Sequence, residues 1–123
     1  MRTMIGRTSG IKVIAFSPQG SYLASGARDG KIEIWDWRTG LEVKTLPGHD
    51  LSLTDLAWSP HGTKLASSGW DGMVRIWDVG TGSELQTFAH ERWVRAVAWS
   101  PDGRFLLSGG DDLSLTVWQV DPG

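Results

Sequence analysis

Apolar positions recur along this chain in short runs of period two, separated by turn residues. Leu53-Thr54-Asp55-Leu56-Ala57-Trp58 alternates apolar with polar or small residues, which predicts a strand. Ser59-Pro60-His61-Gly62 follows with serine first, proline second and glycine fourth, the signature of a type I turn, because proline pre-sets φ at the second position. Lys64 to Ser68 predicts a second strand, Asp71-Gly72 a hairpin turn, and Val74 to Trp77 a third strand. Gly80-Thr81-Gly82 turns the chain again, and Glu84 to Phe88 predicts a fourth strand. No apolar pattern of helical period persists for three turns. The chain is therefore predicted to be all-β and built from four-stranded meanders.

The meander repeats. Phe16-Ser17-Pro18-Gln19-Gly20 returns as Trp58-Ser59-Pro60-His61-Gly62 and as Trp99-Ser100-Pro101-Asp102-Gly103, at offsets of 42 (16 to 58) and 41 (58 to 99). Trp35-Asp36 returns as Trp77-Asp78 and then as Trp118-Gln119. A fixed period near forty means stacked supersecondary units, none of which buries its apolar faces alone.

These turns, dipeptides and spacings resemble the WD-repeat β-propeller family over essentially the whole chain, with the Gly48-His49 and Trp77-Asp78 pairs carrying its signature. The resemblance implies that each meander is one propeller blade, its innermost strand lining a central channel and its faces packing on neighbouring blades. It also implies a hydrogen-bonded tetrad in each blade. The second matches with His49, Ser67, Asp71 and Trp77, and the third with His90, Ser108, Asp112 and Trp118. The first has Ser25, Asp29 and Trp35, but Arg7 stands where histidine is expected. A guanidinium only donates and cannot relay a hydrogen bond, so the first blade is expected to be the least rigid.

Val43 to His49 aligns without gaps on Met1 to Arg7, so residues 1–6 are expected to form an outermost strand with no blade in front of it. Blade 1 is then assigned to 7–48, blade 2 to 49–89, and blade 3 to 90–123, lacking its own outer strand. The resemblance implies that the N-terminal strand is offered for strand-swap ring closure, and rings in this architecture have about four blades or more. Two readings follow. Copies pair head to tail, as a dimer of six blades or a trimer of nine, through a heterologous interface. Alternatively the chain is a purely architectural or part-propeller unit completed by another chain, or a segment of a longer propeller.

Composition narrows the function. Twelve basic and fourteen acidic residues give a net charge of −2, spread throughout, which leaves no basic field for nucleic acid or an anionic membrane. No run approaches membrane-spanning length and no signal-peptide core opens the chain, so residence is expected to be cytoplasmic. There is no cysteine, and the three histidines, at 49, 61 and 90, lack metal-ligand spacing. Glycine runs such as Ser108-Gly109-Gly110 precede no helix and are not phosphate loops. No cofactor is expected. Ser67, His49 and Asp71 share the residue types of a catalytic triad, but the set recurs at the repeat period in Ser108, His90 and Asp112, as a scaffold feature does and an active site does not.

Tryptophan supplies the remaining signal. Of eight, Trp35, Trp77 and Trp118 belong to the tetrads. Trp58 and Trp99, with Phe16 as their first-blade equivalent, are expected in the core, and Trp37 is expected to be half-buried. Trp70 precedes the hairpin aspartate, where Arg28 and Asp111 are its counterparts. Trp93 opens an inner strand, where Gly10 and Ser52 are its counterparts. The resemblance implies that both loops open on one rim, and exposed tryptophan and arginine are enriched at interface hot spots. Trp70, Trp93, Arg28, Arg92 and Arg95 are therefore the candidate partner-binding residues of a non-enzymatic protein–protein interaction scaffold.

Overall fold

The computed structural model describes residues 3, 5 and 9–121. The expected outer strand at 1–6 falls largely outside them, and Arg7 falls outside them altogether. Eleven strands and no helix make up the described chain. β1 (Ile11–Phe16), β2 (Leu23–Ala27), β3 (Ile32–Asp36) and β4 (Leu41–Leu46) form one antiparallel sheet in chain order. β5 (Leu53–Trp58), β6 (Lys64–Gly69), β7 (Met73–Asp78) and β8 (Glu84–Ala89) form a second. β9 (Val94–Trp99), β10 (Phe105–Gly110) and β11 (Leu115–Gln119) form a third sheet of three strands. Among the described residues no helix is long and apolar enough to cross a membrane.

Each Ser-Pro-x-Gly turn closes as its sequence predicts. Gly20, Gly62 and Gly103 each donate their amide to the carbonyl of the serine three residues earlier, at 2.9 Å. Those serine side chains then accept from amides at the entry to the next strand, Ser17 from Tyr22, just before β2, and Ser59 from Lys64, which opens β6. Hairpins closed this tightly confine each meander to about forty residues, and stacking does the rest.

The core lies between sheets. One cluster joins Ile32, Ile34 and Leu46 of the first sheet to Leu53, Leu56 and Trp58 of the second. Another joins Val74 and Ile76 of the second to Val94, Val97 and Leu106 of the third. Each fully buried aliphatic side chain contributes about 1.5–3 kcal/mol, so these two seams hold the sheets together. Polar bonds fix their register: the Trp58 indole N–H donates to the Ala15 carbonyl at 2.9 Å, and the Trp99 indole N–H to the Ala57 carbonyl at 2.8 Å. The Val97 amide also donates to Asp55 across the second seam.

That geometry corrects one expectation. Phe16, grouped with the core tryptophans, is 59 % exposed, because a residue at this repeat position points toward the preceding sheet and the first sheet has none among the described residues. It rests instead edge-on against the half-buried Trp37. The third hairpin also departs from the repeat. Leu113 stands where Gly30 and Gly72 do, at φ 64° and almost fully exposed.

Candidate functional site

Within the second sheet His49, Ser67, Asp71 and Trp77 form one hydrogen-bonded chain. His49 Nδ1 lies 2.9 and 3.0 Å from the two Asp71 carboxylate oxygens, and His49 Nε2 lies 2.7 Å from Ser67 Oγ. The Trp77 indole N–H donates to the same hydroxyl at 2.9 Å. An acceptor-only carboxylate places the proton of neutral His49 on Nδ1, so the Ser67 hydroxyl donates to Nε2 while accepting from the indole. Every member is satisfied, and such a closed network is rigid. The third sheet repeats it. His90 Nδ1 lies 3.0 Å from Asp112, His90 Nε2 lies 2.5 Å from Ser108 Oγ, and the Trp118 indole N–H donates to Ser108. In the first sheet Trp35 donates to Ser25 at 3.0 Å, while Asp29 accepts from the Lys31 amide.

Electrostatics follow the same bonds. Burial works to raise the Asp71 carboxyl, but the His49 hydrogen bond, with amide bonds from Met73 and Asp50, outweighs it and holds the group below its ordinary value. Asp112 is held well below the usual carboxylate range by the Ser114 hydroxyl first and then by His90. Ser67 is wholly buried and Ser108 nearly so. A hydroxyl enclosed in this way has no path to a substrate, whatever its neighbours.

The rim differs. Trp70 sits in the turn after β6, and its amide donates to the Ser52 carbonyl of its own sheet. Its ring reaches the next sheet and stacks on Trp93, with centroids 4.8 Å apart and planes within 10°. The Trp93 carbonyl accepts from the Asp111 amide. The Lys12 ammonium stands 5.4 Å from the Trp70 ring and the Arg95 guanidinium 5.7 Å from the Trp93 ring, so cations flank the pair. Arg95 is itself held by Asp111 through two bonds of 2.7 and 3.1 Å, and these push the Asp111 carboxyl down and the guanidinium up. Trp70, Trp93, Arg92, Glu91 and Asp111 line a groove of about 570 Å³.

Thus Trp70, Trp93, Arg92 and Arg95 come together. Arg28 keeps the equivalent backbone bond to Gly10 in the first sheet, and no contact among the described residues joins it to the tryptophan pair. Lys12, Glu91 and Asp111 complete the site without having been singled out as binding residues. Lys12 was within reach, since it occupies the repeat position of Arg95.

Three antiparallel sheets, stacked at a fixed sequence period and locked by repeated histidine–serine–tryptophan bonds, define a protein of the bladed repeat class. The family model described as WD domain, G-beta repeat matches residues 1–36, 40–78 and 82–119, and the chain belongs to the WD-repeat family. It is 43% identical over 47 residues to the small ribosomal subunit protein RACK1 of Caenorhabditis elegans, a stretch covering 38% of this chain and 14% of that protein. It is 42% identical over 52 residues to the nuclear distribution protein PAC1-1 of Uncinocarpus reesii, covering 42% of this chain and 12% of the relative. The nuclear distribution protein nudF 1 of Talaromyces marneffei is 39% identical over 49 residues, covering 40% and 11%. The aligned stretches thus span only a small part of these relatives.

Proposed function

We propose that this WD-repeat chain is a non-enzymatic protein–protein interaction module whose rim anchors a protein or peptide partner through Trp70 and Trp93. One observation carries the reading: two stacked tryptophans, 38 % and 42 % exposed, at repeat positions that no other sheet fills with tryptophan. Aromatic side chains of this size, half-covered and pre-stacked, are the anchors from which interface hot spots are made. The enclosed serines of the tetrads support a binding role over a catalytic one. So does a relative that is by name a component of the ribosomal small subunit.

Trp70→Ala and Trp93→Ala test this. Each loses the stacking contact, about 0.5–1.5 kcal/mol, and so lowers the thermal midpoint by only a few degrees. Each is expected to weaken binding to a captured partner by roughly 2 kcal/mol or more. Unchanged partner affinity with either variant, or outright unfolding, sinks the reading for that residue.

A second reading, head-to-tail assembly, is favoured by the two outer faces. Ile14 and Phe16 are 61 % and 59 % exposed, whereas their second-sheet equivalents Leu56 and Trp58 are buried. Leu115 and Val117 are 73 % and 58 % exposed, whereas Val74 and Ile76 are fully buried. The two faces are the halves of the seam already seen twice within the chain, so a second copy supplies each with its complement. Light scattering is expected to report a mass twice or three times that of the chain. Leu113→Gly, which removes a side chain from the turn that would meet the next copy, is expected to favour the larger particle. A well-folded monomer at micromolar concentration excludes this assembly.

A further inference from the structure

Six of the eight indole N–H groups are used inside the protein. Trp35, Trp77 and Trp118 donate to serine hydroxyls, and Trp37, Trp58 and Trp99 to main-chain carbonyls. Trp70 and Trp93 donate to nothing among the described residues. The two tryptophans that stack at the rim are therefore also the two whose donors are left over.

The charges beside them divide in the same way. Asp111 is engaged by Arg95, and Asp71 by His49 and the Met73 amide. Arg92 lines the groove and makes no hydrogen bond or ion pair among the described residues, and it lies near enough to Asp111 to help lower that carboxyl. Lys12 stands over Trp70 and its ammonium makes no hydrogen bond or ion pair among the described residues. Against these stands Glu91, the one carboxylate lining the groove that makes no hydrogen bond or ion pair among the described residues. The unused groups are two indole donors, a guanidinium and an ammonium, opposed by a single acceptor. A comparable groove at the other end of the sheets offers no unused indole donor, since its tryptophan, Trp99, donates to the Ala57 carbonyl. There Lys64 donates to the Asp121 carbonyl, and Asp102 accepts from the Ser100 hydroxyl and the Arg104 main-chain amide.

We propose that the Trp70–Trp93 site takes an acidic peptide segment, whose carboxylates accept from the two indole N–H groups and pair with Lys12 and Arg92. This rests on the rim reading above and adds the chemistry of its ligand. Hydrogen bonds to a charged acceptor are stronger than neutral ones, so a carboxylate gains most from donors of this kind. Glu91 sets a limit on the charge the groove tolerates, which makes it a built-in brake on affinity.

The test uses three synthetic octapeptides, alternating glycine with glutamate, glutamine or lysine, titrated into the whole chain while the eight indole N–H signals are followed by NMR. Trp70→Phe and Trp93→Phe assign the two rim signals and keep an aromatic ring in the stack while deleting the donor. The glutamate peptide is expected to move those two signals, with affinity falling as salt rises. Each phenylalanine variant is expected to bind it about tenfold more weakly. Glu91→Gln is expected to bind it severalfold more tightly, because a like charge is gone. If the lysine peptide moves the two signals as strongly, the ligand class is wrong while the rim still binds. If the glutamate peptide moves neither at millimolar concentration, or the phenylalanine variants bind it like the parent, the proposal is overturned. The rim itself fails only if the alanine variants also leave partner affinity unchanged.

Discussion

Asp71→Ala is expected to lower stability by on the order of 3 kcal/mol, and Asp29→Ala by about 1 kcal/mol. Asp71 accepts from His49 at 2.9 Å and from the Met73 amide at 3.0 Å, with a longer bond of 3.4 Å from Asp50. Its loss leaves the buried Nδ1–H of His49 without an acceptor, and the relay through Ser67 to Trp77 loses its anchor. Asp29 is exposed and accepts from the Lys31 amide, so water replaces it cheaply. The pH dependence has a definite sign. A carboxyl held below its unfolded value, about 3.9, stabilises the fold fully above that pH and loses its contribution as pH falls through the folded value. The parent should therefore weaken in acid more steeply than Asp71→Asn. Urea midpoints at pH 7 and pH 3 check both statements, and equal midpoints for the two alanine variants would show that the histidine relay contributes nothing.

Gly30→Ala is expected to cost roughly 3 kcal/mol or more, and Gly72→Ala distinctly less, about 1–2 kcal/mol. Gly30 sits at φ 90°, and a Cβ there would lie 1.9 Å from the His49 carbonyl oxygen and 2.6 Å from that of Leu51. Both obstacles are main chain, and the Gly30 carbonyl accepts the His49 amide, so relief means moving the segment that delivers His49 to its tetrad. Gly72 at φ 78° meets nothing nearer than 3.1 Å. Leu113 marks the tolerable end of the series, carrying a side chain at φ 64° in a turn where it stands in solvent. Denaturation midpoints that fall equally for Gly30→Ala and Gly72→Ala would contradict the account.

The meander itself was legible along the chain. β5 was expected with the bounds it has, and β6, β7 and β8 to within one residue at each end. Period-two alternation, a proline that presets φ and glycines at turn ends are local causes, and they act the same way in every copy. The residues of the two histidine tetrads were implied by the family resemblance, and each set lies within one blade and its own hairpins. What escaped the sequence lies between blades. Phe16 reads like Trp58 by position, yet its burial depends on a neighbouring sheet rather than on its own strand. Trp70 and Trp93 could be singled out as surplus, but their contact crosses from one blade to the next. So do the placement of Lys12 over Trp70 and the close approach of Gly30 to the chain leading into the second blade. Local sequence determined each blade because its forces act through neighbours in the chain. The rim site exists only once the blades are stacked, because its parts come from three sheets whose relative placement depends on how their buried faces fit.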